Sequence, residues 1–219
     1  MTASIAFLHT AAVHVPRFDA LVQSQSPGTV VHHHVDASLL HDVRVLGVDD
    51  PVLVQRVHQA MRAAARSGAR VVVCTCSTIG GIAEGMDSGK AFTAMRIDRA
   101  MADTAAQSGP RVLLVAALES TLEPTAALLH DSAQRLQAVL HIDSLCIAPA
   151  WAFFEQGNTA QYLATIAEAT RAAVREHSVV VLAQASMDEA VPLLRDLPIP
   201  VLASPALGVA TALALVASH

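Results

Sequence analysis

The residues best able to do chemistry form one run, Cys74-Thr75-Cys76-Ser77-Thr78-Ile79-Gly80-Gly81, entered through the apolar triplet Val71 to Val73. An apolar strand that breaks into small hydroxyl residues and then opens a helix leaves first-turn N–H groups pointing outward, where the helix dipole favours negative charge. A carboxylate would sit well there. The same field favours a thiolate, so Cys76 is a candidate for proton abstraction or nucleophilic attack. Cys74, two residues earlier and inside the strand, reads instead as a small buried hydrophobe.

Other candidates are more diffuse. His9 and His14 follow the first apolar run, and either could act as an acid/base near neutral pH or simply sit at the surface of a chain with 11 histidines. The run His32-His33-His34 suggests metal ligands, yet alternation along a strand turns His33 away from its neighbours. No carboxylate or second cysteine pair completes a site with Cys74 and Cys76, so no metal is expected. A phosphate loop around Gly89-Lys90 fails because it requires glycine at position 84 and a hydroxyl at 91, which are Glu84 and Ala91. Glu84, Asp87, Asp98, Asp103, Glu119 and Glu123 read equally as partners of helix dipoles and as acids. Trp151-Ala152-Phe153-Phe154 is either an apolar pocket wall or a packing surface.

Composition narrows the class. With 53% hydrophobic and 15% charged residues, disorder is excluded, and the 3% aromatic share makes the core aliphatic. A formal charge of −5 with 14 Lys and Arg in no basic stripe argues against nucleic acid. Three cysteines, two of them separated by one residue, do not make an extracellular disulfide framework, and a reducing cytoplasm is the simpler setting. The opening MTASIAFLHTAAVHV lacks a basic leader and is broken by His9, His14 and Arg17. The apolar stretch from Val201 to Ser218 contains Pro205 and reads as strand, turn and buried helix, so no membrane partner is expected.

The elements that must position these residues alternate in βα fashion. Strands are predicted at Ser4 to Leu8, Val30 to His34, Val71 to Thr75, Val112 to Ala116, Ser144 to Ile147, Val179 to Ala183 and Pro200 to Leu202. Helices are surest at Val52 to Ser67, Asp98 to Ser108, Thr121 to Ala138, Thr159 to His177 and Leu207 to Ala217. VVVCTCSTI from Val71 resembles VVVLAQASM from Val179, about half a chain later, each a strand running into a small polar turn and a helix. IAFL at Ile5 pairs in the same way with VLLV at Val112, and VVHHHV at Val30 with LHIDSL at Leu140. Three pairs in one order imply an internal duplication. The expectation is an α/β protein of two pseudo-symmetric lobes, each a parallel sheet flanked by helices: 1–97 with 205–219, and 98–204. Cys76 and Gln184 then occupy equivalent turns at the carboxyl ends of strands, where ligands of open parallel sheets bind.

On those residues the chain resembles the cofactor-independent aspartate/glutamate/hydantoin racemases. The strand-Cys-Ser-Thr turn is similar to their strand-Cys-Asn-Thr turn, and MRIDRAMADTA from Met95 resembles the helix start that follows it. RVLLVAALESTLEPTAALL from Arg111 resembles the second-lobe strand with its Thr-led helix, and VVVLAQASM the second catalytic turn. The resemblance implies an active site in the inter-lobe cleft, a small carboxylate substrate, and a homo-oligomer. By position it makes Cys76 the first-lobe acid/base. Ser77, Thr78, Ser120 and Thr121 become carboxylate-binding residues, with Ala185 and Ser186 beside the second turn. Thr10 would lie in the loop lining the cleft, with His9 and His14 as possible second acid/bases. Where the racemases carry their second cysteine this chain has Gln184, whose amide cannot exchange a proton near neutral pH but can hold a carboxylate, amide or carbonyl oxygen. Arylmalonate decarboxylases of the same superfamily also keep a single cysteine, on the opposite lobe. Three functions therefore stand open: an isomerase or racemase, a one-sided decarboxylase or lyase, and a carboxylate-binding protein without turnover.

Overall fold

The computed structural model describes residues 4–89 and 91–218; the Lys90 of the rejected phosphate loop falls outside them. They divide into two compact units. One runs up to Asp98 and resumes at Pro205, and the other is Arg99–Ser204.

The first unit carries β1 (Ser4–His9), α1 (Val15–Gln25), β2 (Val30–Val35), α2 (Ser38–Leu46), α3 (Pro51–Ala65), β3 (Val71–Cys74), α4 (Ser77–Glu84) and β4 (Thr93–Arg96). All its strands are parallel, in the order β2-β1-β3-β4, with Ile5 opposite Val71 and Cys74 opposite Arg96. The second unit carries α5 (Arg99–Ser108), β5 (Arg111–Ala116), α6 (Glu119–Arg135), β6 (His141–Cys146), α7 (Ala148–Glu155), α8 (Thr159–Ala173), β7 (Val179–Leu182) and β8 (Val201–Ala203). Its strands are again parallel, in the order β6-β5-β7-β8, with Val112 opposite Val179 and Leu182 opposite Ala203. The last helix, α9 (Ser204–Ala217), returns the chain to the first unit.

The central strands follow from their composition. Every residue of β3 and β7 is buried, as expected of parallel strands covered on both faces, which read as unbroken Val/Leu runs. Edge strands β2 and β6 are half exposed, and their polar residues sit there. Helix α3 starts where Asp50 accepts hydrogen bonds from the N–H groups of Val52 (2.8 Å) and Leu53 (3.4 Å), with Pro51 in the first turn. Its Leu53, Val57, Ala60, Met61 and Ala64 repeat at helical spacing and face the core. Burying each large side chain of that stripe contributes roughly 1.5–3 kcal/mol.

The seven expected strands form within a few residues of their anticipated bounds. The eighth, Thr93–Arg96, lies where the sequence suggested only the approach to a helix, because four residues ending in an arginine show no strand period. After Gln184 the chain makes a run of 3-10 helix, Ala185–Leu194 with Pro192 inside it, rather than the α-helix expected from the repeat. Between β8 and α9 there is no turn: Ala203 ends the strand and Ser204 begins the helix, with Pro205 tolerated in its first turn. That last helix lies so close to the end of β4 that a Cβ on Gly208 would come within 2.1 Å of the Ile97 carbonyl oxygen. Among the described residues no helix is long and apolar enough to cross a membrane.

Candidate functional site

In the first unit the sequence-predicted residues gather at the carboxyl ends of β1 and β3. The Thr75 N–H donates to the Leu8 carbonyl (3.0 Å), carrying the β1–β3 ladder one residue past the strand. Cys76 then takes an extended conformation (φ −98°, ψ 115°) as the residue capping α4. Its side chain is half buried, while Ser77 and Thr78, the first two residues of the helix, are buried. Cys74 turns inward, and its thiol donates weakly to the Cys76 carbonyl (3.6 Å). Burial, then the neighbouring Cys76, pushes the Cys74 thiol far above its ordinary value, so it behaves as the hydrophobe the sequence suggested.

The histidines do not behave as free acid/bases. His9 is completely buried, with Nδ1 2.9 Å from the Thr75 hydroxyl and Nε2 2.9 Å from His33 Nδ1. His33 in turn reaches the Asp19 carboxylate through Nε2 (3.0 Å). A four-residue chain Asp19–His33–His9–Thr75 thus ties α1, β2, β1 and the residue before Cys76 together. Burial, followed by the charges of His33 and His14, lowers His9 to about 3. His14, half buried and with its ring 6.3 Å from that of His9, is lowered by burial to about 4. Both rings are therefore neutral at physiological pH, and His9 has both nitrogens engaged. His9, expected as a possible second acid/base, is thus committed to this chain of hydrogen bonds, and His14 keeps the capacity to accept a proton. His33 is likewise spent on this chain, and among the described residues no cluster of three or more His, Cys, Asp or Glu side chains is disposed to hold a metal.

Sequence reasoning passed over Arg96 and left Asp98 equally a helix-dipole partner or an acid. Both are buried (4% and 0% exposed). Arg96 forms a forked pair with Asp98, Nε to Oδ1 at 2.6 Å and Nη2 to Oδ2 at 3.1 Å, and Nη2 also donates to the Ser77 carbonyl (3.3 Å). The guanidinium lies close against α4, where a Cβ on Gly80 would meet its Nε at 3.0 Å and Cζ at 3.2 Å. Two adjacent glycines inside a helix were the available signal, since each costs roughly 1 kcal/mol relative to alanine and calls for a reason.

The second unit arranges its residues at the carboxyl ends of β5 and β7. Gln184, in an extended conformation (φ −108°, ψ 140°) and buried, directs Oε1 to the N–H of Ala117 at 2.6 Å. A backbone donor requires the amide oxygen, so the orientation of this side chain is fixed and its NH2 group turns away from Ala117. Ala117 leads into α6, whose first turn holds Ser120, half buried, and Thr121, buried. The loop 117–121 and the turn 184–186 therefore adjoin. Ala185 is buried, and the half-buried Ser186 shares a hydrogen bond with the Tyr162 hydroxyl (2.7 Å). Tyr162 packs on Phe154, which stacks on Trp151, so the aromatic segment belongs largely to this unit's core. At the end of β6 burial and the Glu119 carboxylate push the Cys146 thiol up to about 11, a protonated and inert state. Thr10, directly after β1 in the first unit, is buried.

Two four-stranded parallel sheets with one strand order, each with its polar turn after the third strand, define an α/β fold made of two similar halves. Solved structures agree. The chain superposes on the aspartate racemase of Picrophilus torridus with a TM-score of 0.70 at 13% identity, over 98% of this chain and 94% of that one. For the allantoin racemase of Klebsiella pneumoniae the values are 0.67, 19%, 99% and 89%. For a Gly74Cys mutant of arylmalonate decarboxylase in a sulfate-associated form they are 0.61, 19%, 99% and 94%. No protein-family model matches the chain, and neither does any curated protein. The chain has the fold that these racemases and this decarboxylase share.

Proposed function

We propose that this protein is a cofactor-independent enzyme acting at the carbon alpha to a carboxylate, an isomerase of the racemase type, with Cys76 as its acid/base. The observation that carries the reading is the half-buried thiol of Cys76 at the start of α4, with buried Ser77 and Thr78 in the first turn behind it. A helix start with hydroxyl residues suits a carboxylate, and it also suits a thiolate that removes or returns the alpha proton. Thr10, Ser120, Thr121, Ala185 and Ser186 complete the proposed set of substrate-binding positions. Gln184 is assigned a binding role: with Oε1 held by Ala117, its NH2 group is left to donate to a substrate oxygen.

That same hydrogen bond favours a second reading. An amide fixed where the racemases have a thiol offers no proton to the other face, and the reaction then becomes one-sided, as in a decarboxylase or lyase. In such a step the carbon–carboxylate bond breaks, carbon dioxide leaves, its electron pair stays on the alpha carbon, and the Cys76 proton ends there. Deuterium oxide separates these readings. An isomerase incorporates deuterium with inversion, a one-sided enzyme gives a labelled product of single handedness, and a panel of carboxylic acids showing neither exchange nor turnover would sink the enzymatic reading.

A further inference from the structure

Beneath the Cys76 turn lies a structural arrangement that the proposed chemistry leaves unused. Asp98 grips Arg96 from one side with two hydrogen bonds, and the guanidinium reaches the Ser77 carbonyl from below. Ser77 is the first residue of α4, and the peptide that bears this carbonyl carries at its other end the N–H of Thr78, which points out of the helix start. A cation placed at the carbonyl end of a peptide holds its dipole in direction and strengthens its N–H as a donor. Gly80 is what allows the guanidinium so near: alanine there would crowd Nε and Cζ at 3.0 and 3.2 Å, whereas a Cβ at 81 would make only an ordinary contact, 3.5 Å from Nη1. In the second unit the residue opposite the end of the equivalent strand is Ala203, where the first has Arg96, and the positions matching Gly80 and Gly81 are Asp188 and Glu189. The buried ion pair therefore accompanies the turn with the thiol, not the strand order.

We infer that Arg96, held by Asp98 and admitted by Gly80, is a positioning residue that sets the first peptide of α4 so that the turn presents its N–H groups and Cys76 together. This rests on Cys76 being the acting thiol; the geometry beneath it stands independently. Buried ion pairs are often replaceable by apolar residues of similar volume without loss of the fold. The test uses the full chain and iodoacetamide, with mass spectrometry reporting Cys76 and Cys74 separately; Cys74 is fully buried and labels only if the sheet opens.

In the double variant Arg96→Met with Asp98→Leu, Cys76 should be alkylated about tenfold more slowly than in the wild type while Cys74 stays protected, the size of effect expected for one charge-assisted hydrogen bond. An unchanged or faster Cys76 rate with Cys74 protected overturns the inference. Should Cys74 become labelled, Gly80→Ala carries the test: it keeps both charges and displaces the guanidinium, and should slow Cys76 in the same way. No change at Cys76 in that variant, or labelling of Cys74 in both, would show that the pair merely holds the sheet. Malonate is the separate arm. If it fails to shield Cys76 in the wild type, the carboxylate reading falls, while the comparison of alkylation rates, made without ligand, still decides the role of Arg96.

Discussion

The turns that follow β3 and β7 occupy the same place in two sheets of one topology, yet they are built differently. The first ends in a thiol, continues as an α-helix over two glycines, and rests on a buried ion pair. The second ends in an amide already bonded to backbone, and continues as a 3-10 run interrupted by proline. Polar groups are concentrated beneath the first: His9 and His33 stand where the second unit has Ala116 and Ser144. The difference teaches that duplication preserved the frame and not the chemistry. On the proposed reading one turn holds charge and exchanges a proton, while the other, its amide oxygen bonded to Ala117, donates hydrogen bonds from a fixed direction.

The comparison is broken most severely by exchanging the two side chains. Cys76→Ala should lower any turnover by about 10²–10⁴-fold, the usual contribution of a positioned acid/base, whereas Gln184→Ala should act mainly on substrate affinity. Gln184→Cys should introduce racemisation in deuterium oxide, and the added activity should vanish when Cys76→Ala is combined with it. Fast symmetric racemisation by the unaltered protein would contradict the assigned asymmetry outright. Thiol chemistry sharpens the same contrast on a smaller scale. At neutral pH iodoacetamide should label Cys76 well ahead of Cys146, whose thiol is held up to about 11, and ahead of the buried Cys74. Peptide mapping after partial alkylation reads the order directly.

Acid should separate the units further. His9 is neutral in the folded chain down to about 3 and would titrate near 6.5 when unfolded, so the unfolded state binds the extra proton between those values. The stability that neutral His9 represents is complete above about pH 6.5 and is lost as pH falls toward 3, at up to about 1.4 kcal/mol per pH unit, with His14 adding to it down to about 4. Hydrogen exchange at pH 4.5 should accordingly rise in β1, β2 and α1 before it rises in β5 and β6, and uniform protection would contradict this. The smallest expected effect is on binding. Thr78→Val and Thr121→Val should each diminish stabilisation by small mono- or dicarboxylates by about 0.5–1.5 kcal/mol, measured as a shift in melting temperature, with little change in the apo protein.

How much of this was legible in the sequence depended on range. VVVC and VVVL announced themselves because strands buried on both faces need nothing but apolar residues, and the duplication followed from their order. Cys76 and Gln184 were legible as counterparts for the same reason. The strand TAMR was not, being short and only partly covered. His9 looked like a loose loop histidine because the groups that immobilise it come from positions 24 and 66 residues away. Arg96 and Asp98 lie only two residues apart, and their spacing looked incidental until β4 brought them under a helix that begins 19 residues earlier. Tertiary neighbours, invisible in the local pattern, decide the state of each of these groups.

The return of α9 to the first unit has a consequence for biosynthesis. A nascent chain emerging through Ser204 already contains every strand and helix of the second unit, whereas the first still lacks the helix that carries the buried Val209, Ala212 and Val216. The N-terminal segment, made first, is therefore completed last. Until α9 has emerged from the ribosome, the face reserved for Gly208 beside Ile97 stays open to chaperones, to proteases and to other nascent chains.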